Sequence, residues 1–128
     1  MPHDDLILSE LDHARLKALL PRQSSLHQRL DQAELQPPRQ IDADVVTMRS
    51  ELLLQDPDSG LRRRITLAYP AEALPADGQV SVLSPLGQAL LGQRVGDLVA
   101  WQAPQGPRLQ ARIAALLYQP EAAGDYLR

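Results

Sequence analysis

Two different periods divide this chain. Over residues 9–20 the apolar positions fall at helical spacing: Leu11, Leu16, Leu19 and Leu20, with Ala14 and Ala18, mark one stripe. Ser9 stands where an N-cap is needed, Asp12 follows three positions on, and Pro21 ends the run. A second helix is predicted from a cap at Ser24 or Ser25 through Leu26, Leu30, Ala33 and Leu35, up to Pro37. Two short helices joined by a tight turn make an antiparallel hairpin, residues 1–36. The proline-interrupted stretch 37–43 then reads as a linker, which would make the hairpin an appendage with its own orientation.

From Val45 the period changes to two. Val46, Met48, Ser50, Leu52 and Leu54 alternate with Val45, Thr47, Arg49, Glu51 and Leu53, which predicts one strand over 45–54. Asp56-Pro57-Asp58-Ser59-Gly60 is a hairpin turn, and Ile65, Leu67 and Tyr69 continue the alternation on a partner strand. Further strands are predicted at 80–83, 98–103 and 109–118, the last two joined by the turn 104–107. Between the third and fourth lies a short helix with encoded ends. Ser84 is its cap, Pro85 fits its first position, Leu86 and Leu90 share a face, and Gly92 suits the left-handed residue that stops it. Too short to persist alone in water, this helix must cover the sheet. The pattern is an α+β fold: a helical hairpin followed by an antiparallel sheet with one short helix, residues 44–128.

Composition narrows the functional classes. With 128 residues the chain suits one compact domain with a small appendage; it has no Phe, one Trp and three Tyr, so aliphatic side chains must fill the core. A net charge of −3 argues against free-standing DNA binding, which depends on a cationic surface. No cysteine, signal-peptide pattern or membrane-length apolar run is present, which makes the cytoplasm the expected compartment and excludes membrane partners. His3, His13 and His27 lack metal-ligand spacing, and no nucleophile motif occurs. No catalytic residue, metal site or cofactor is expected. Arg62, Arg63 and Arg64 read as a solvated strand edge on which two of the three share a face.

The run Val80-Ser81-Val82-Leu83-Ser84-Pro85-Leu86-Gly87, continuing to Val95-Gly96-Asp97, resembles the C-terminal domain of the Gre-type transcript cleavage factors. Together with Asp44 to Met48, Tyr69 to Glu72 and Tyr118 to Tyr126, it is similar to the nucleoside diphosphate kinase regulator (Rnk) family, short relatives of those factors. The resemblance implies an FKBP-like α+β domain behind a coiled-coil hairpin, and bacterial RNA polymerase as the partner. In Gre factors, tip carboxylates hold a magnesium ion in the polymerase active centre through its secondary channel. Here the turn region 20–28 has no carboxylate and offers Arg22 and His27, so cleavage activity should be missing. Asp12, Asp31 and Glu34 read as residues of solvated helix faces.

By the same resemblance, Ser84, Pro85 and Leu86 would form the polymerase-binding loop at the channel rim, although Leu83 stands where Gre factors usually carry Asn or Asp. The reading favoured is a non-enzymatic regulator that occupies the channel and competes with Gre factors, touching DNA only through polymerase. Its link to nucleoside diphosphate kinase would be indirect. A binding module acting directly on that kinase or another protein is the alternative. A prolyl isomerase, which the fold invites, lacks the aromatic pocket. The tail 119–128 is expected to pack and fix the hairpin angle, with Tyr126 and Leu127 as anchors.

Overall fold

The computed structural model describes residues 6–20, 22, 24–74 and 77–125. Tyr126 and Leu127 lie outside them. The hairpin forms where the caps are. The Ser9 hydroxyl accepts from the Asp12 amide at 3.2 Å and opens α1, Glu10–Leu19. Ser24, rather than Ser25, caps α2, Ser25–Asp31, accepting from the His27 amide at 3.0 Å. α2 stops at Asp31 and does not run on to Leu35. Glu34–Leu35 instead form β2, parallel to β1, Ile7–Leu8, because the amides of Glu34 and Gln36 bond to the carbonyls of Leu6 and Leu8 at 2.7 and 3.0 Å. A short parallel ladder thus closes the base of the hairpin.

The second part is a five-stranded sheet in the order β5-β4-β3-β7-β6, built from β3 Glu51–Gln55, β4 Arg62–Ala68, β5 Gln79–Ser81, β6 Leu98–Gln102 and β7 Arg108–Tyr118. It is mixed, not wholly antiparallel: β5 runs parallel to β4, the segment after β4 having carried the chain back through a 3₁₀ turn at Pro70–Glu72. The helix α3, Pro85–Leu90, lies on this sheet, and a further short helix, α4, Pro120–Ala123, follows β7. α3 packs with unusual closeness at Gly87, where an added Cβ would stand 2.0 Å from the Ser81 carbonyl oxygen.

Residues 45–50 are not strand. The alternation there is misleading because both sets of side chains are buried: Val45, Val46, Thr47, Met48 and Ser50 all lie inside. Arg49 adopts φ +67°, a left-handed conformation that an L residue resists and that breaks any strand. The segment is held by the tail instead. The Gln119 amide donates to the carbonyls of Asp42 and Val45 at 2.8 and 2.7 Å, and Thr47 Oγ1 donates to the buried Glu121 carboxylate at 2.6 Å.

The hairpin is no free appendage. Leu6, Leu8, Leu16, Leu20, Leu26 and Leu30 join Leu52, Ile65, Leu67, Leu90 and Ile113 in one continuous core. Each such leucine contributes about 1.5–3 kcal/mol on leaving water, which outweighs the freedom that residues 37–43 could give. Along α1 the buried face is Asp12, Leu16 and then Leu20, whereas Leu19 is 44% exposed.

Candidate functional site

The turn into α3 presents a rigid, partly apolar corner. The Ser84 hydroxyl accepts from the Gly87 amide at 3.0 Å and donates to the Ser81 carbonyl at 2.7 Å, so its capping role occupies it in both directions. The Gln88 side chain donates to the Leu83 carbonyl at 3.0 Å and ties the corner from the other side. Of the three residues expected to bind a partner, only Pro85 is exposed; Ser84 is half-buried and Leu86 is buried. Leu83 is 39% exposed and extends the surface that Pro85 offers.

Leu86 faces a groove that the sequence pattern did not bring out. The groove holds about 410 Å³ and is lined by Leu54, Leu61, Arg63, Trp101 and Leu109 together with Leu86. It exists because α3 is only six residues long and covers one end of the sheet. The signal was present: Trp101 and Leu109 are directly paired across β6 and β7 and share the face of Leu54 and Ile113.

At the root of the hairpin lies a buried polar joint. Tyr69, 57 positions along the chain, donates its hydroxyl to Asp12 at 2.7 Å. The guanidinium carbons of Arg15 and Arg49 stand 5.8 and 5.3 Å from the Tyr69 ring centroid. Arg49 is held in turn by Glu72, with Nε donating at 3.0 Å. Burial pushes the Asp12 carboxyl up to about 6; Glu121 adds to the shift, while the Tyr69 hydrogen bond, Arg15 and Arg49 oppose it. Burial and the neighbouring Asp12 likewise raise the Tyr69 phenol. Asp12 is therefore a structural group, not the solvated helix residue its sequence context suggested. A second tie runs from α2 to α3, where Arg29 donates to the carbonyls of Gln88 and Leu91 at 3.3 and 3.4 Å.

The outer surface of the hairpin is different in kind. Arg22 is exposed, and Lys17 pairs with Asp31 at 2.6 Å on the surface. The His13 Nε2–H donates to the Leu30 carbonyl at 2.9 Å, bridging the two helices. No group of three His, Asp or Glu side chains that could hold a metal ion occurs among the described residues. Nor is any helix among them long and apolar enough to cross a membrane.

Residues 41–118, from the buried Ile41 through β7, match the family described as transcription elongation factor, GreA/GreB, C-terminal. The chain belongs to the GreA/GreB family. Over 99% of its length it is 39% identical to the regulator of nucleoside diphosphate kinase of Escherichia coli K12, 99% of which it covers. Membership therefore extends to those short Gre relatives. The chain is also 32% identical to the transcription inhibitor protein Gfh1 of Thermus thermophilus, over 84% of this chain and 72% of that one. A solved GreA/GreB factor from Nitrosomonas europaea superposes with a TM-score of 0.78 at 34% identity, covering 89% of this chain and all of that one. The mixed sheet with its short covering helix is thus the GreA/GreB C-terminal fold.

Proposed function

We propose that this protein is a transcription regulator that binds RNA polymerase at the rim of its secondary channel, competes there with Gre factors, and does not cleave RNA. The observation that supports this reading is the contrast between a rigid, exposed corner at the start of α3 and a hairpin tip without carboxylates. Pro85 and Leu83 are exposed on a turn fixed by four side-chain hydrogen bonds, beside an apolar groove. The ten residues of α1 span only about 15 Å. The carboxylates of the hairpin are placed for other work, Asp12 at the root and Asp31 on Lys17. An activated water in a polymerase active centre needs an ion delivered by carboxylates at the tip. This hairpin supplies none there.

The family name joins its bearers to nucleoside diphosphate kinase; in this reading that link runs through transcription, and stable association with DNA at physiological salt runs through polymerase. The test is binding of purified bacterial polymerase to wild type, Pro85→Arg and the exposed control Arg39→Ala. Pro85→Arg should lose at least about tenfold in affinity, since a bulky charge enters a desolvated contact, while the control stays within about twofold. Equal affinity of all three, with circular dichroism showing Pro85→Arg folded, would reject the corner as the interface. Retention on immobilised kinase instead of polymerase would favour a direct kinase regulator.

A further inference from the structure

The sheet has one covered face and one open face, and strand register assigns the residues of the open one. Residues directly opposite one another share a face. Gln55 on β3 stands between Arg62 on β4 and Arg112 on β7, and Leu53 faces Arg64. On the other side of β7, Gln102 faces Arg108, Ala100 faces Gln110 and Leu98 faces Arg112. Leu52, Leu54, Ile65 and Ile113, which alternate with these positions, are buried in the core. By register the four arginines and three glutamines therefore share the face turned away from α3 and the hairpin, with Arg62 and Gln110 also bordering the groove beside Leu86. Neighbouring strands are about 4.8 Å apart and residues two apart on a strand about 6.7 Å, so Arg62, Arg64 and Arg112 lie within about 10–12 Å of one another.

The sign of this face opposes that of the molecule. Its strand residues carry four arginines against one carboxylate, Glu51, a balance of +3 that leaves −6 for the remainder of a chain whose total is −3. Glu51 neutralises little, since Arg64 Nε is 3.9 Å away. Asp56, in the adjoining turn, has its Oδ1 occupied by the amides of Asp58 and Ser59. Two of the guanidiniums are braced by their neighbours: Arg62 Nε donates to Gln55 at 3.2 Å, and Arg112 Nη1 to the Gly96 carbonyl at 2.7 Å. Bracing reduces the side-chain freedom lost on binding.

We propose that this open face is a sequence-independent contact for the sugar-phosphate backbone of nucleic acid. Arginine forks and glutamine amides are donors suited to phosphate oxygens. A protein partner would call for a buried aromatic or apolar anchor at the centre, and the centre here is Gln55 between two arginines. Base reading would need stacking surfaces, and the arginine-bearing rows hold no aromatic residue. The contact is weak for the free protein because the rest of the molecule is acidic, and it gains force when another interaction holds nucleic acid close. It lies on the opposite side of the sheet from Pro85, so both surfaces can be engaged together.

The test uses the full chain and fluorescently labelled single-stranded DNA, RNA and duplex DNA, followed by anisotropy in low salt. Binding should be detectable at tens to hundreds of micromolar, about equal across sequences, and should weaken with a log–log salt slope of about −2 to −3. Arg62→Glu with Arg112→Glu should reduce affinity at least about tenfold. Arg22→Glu with Arg39→Glu, an equal change of net charge on other exposed surfaces, should reduce it less than about threefold. Melting curves establish that both variants are folded, and Arg62→Gln with Arg112→Gln, which keeps polar side chains at both places, should show the same loss in reduced degree. Absence of wild-type binding, or equal losses in the two charge-reversed variants, would overturn the proposal. So would tighter binding of poly-glutamate than of nucleic acid with the same variant dependence, which would point to an acidic protein.

Discussion

Along its inner face the hairpin buries Asp12 and six leucines with the rest of the core, Leu20 and Leu26 beside the turn included; its outer surface presents the Lys17–Asp31 ion pair to solvent, and its tip presents Arg22. The same two short helices thus do opposite things on their two faces. Burying Asp12 is costly in itself, and burial is the largest cause of its raised pKa. The Tyr69 hydrogen bond and the two arginines offset part of that cost and fix the angle of α1 to the sheet. The protein therefore invests in where the hairpin stands and very little in what its tip carries. On the function proposed above, that allocation would suit a device that occupies space rather than one that delivers a reagent.

The largest expected effect comes from cutting the root. Leu16→Ala or Leu30→Ala removes a fully buried side chain shared between hairpin and sheet and should cost about 2–5 kcal/mol. Leu19→Ala, on the same helix but 44% exposed, should stay within about 0.5 kcal/mol. Urea unfolding followed by circular dichroism and by Trp101 fluorescence should give one coincident transition for wild type, since the core is continuous. Two separated transitions would show that the hairpin folds as an independent unit after all.

The second effect is a pH dependence that belongs to Asp12. Its folded-state pKa, about 6, lies above the ordinary 3.8, so the folded protein binds this proton more tightly than the unfolded chain does. The contribution is complete below about pH 4 and is lost as pH rises through about 6, a change of about 2–3 kcal/mol. Glu72, Asp31 and Asp56 have lowered values and act in the opposite direction, so the wild-type curve alone does not isolate Asp12. Asp12→Asn keeps an acceptor for Tyr69 and removes the titration. The stability of wild type relative to this variant should fall between pH 4 and 7; a constant difference would mean that Asp12 is not desolvated.

What the sequence disclosed, and what it withheld, follows the range of the forces involved. Ser9, Ser84, Pro85 and Gly92 act within one helical turn, and the caps and breaks they encode are where they were expected. Ile65 and Leu67 on β4 and Ala111 and Ile113 on β7 are buried at the spacing of two that the sequence shows, but beyond Ile113 register shifts against β3 break the alternation, so that Leu116 packs on the core and Leu117 is exposed. Residues 45–50 alternate as well, yet they are buried all round, and the left-handed Arg49 turns them into a strap. Asp12 looked solvated because its partner is 57 positions away and nothing local marks it. Leu86 lies on the inner face of the short α3 and is buried, so that Pro85 and Leu83 are what this corner exposes.

The smallest effect on stability, and the sharpest check on the contrast between the buried face and the tip, is expected at the tip. Arg22→Asp with Ser25→Glu changes two exposed residues, and the glutamate falls in the first turn of α2, where the helix dipole favours an anion. Stability should move by no more than about 0.5 kcal/mol. The variant tip then carries the carboxylates it lacked, so ligand chemistry and reach are separated. A catalytic group misplaced by about 1 Å can lose two orders of magnitude in rate, and the ten residues of α1 extend only about 15 Å from the root. In a backtracked elongation complex with 3′-labelled RNA and magnesium, neither wild type nor the double variant should shorten the transcript, while both should slow cleavage by an added Gre factor. Shortening by wild type would refute the non-catalytic reading. Shortening by the double variant alone would show that the missing carboxylates, and not the length of the hairpin, had been the limit.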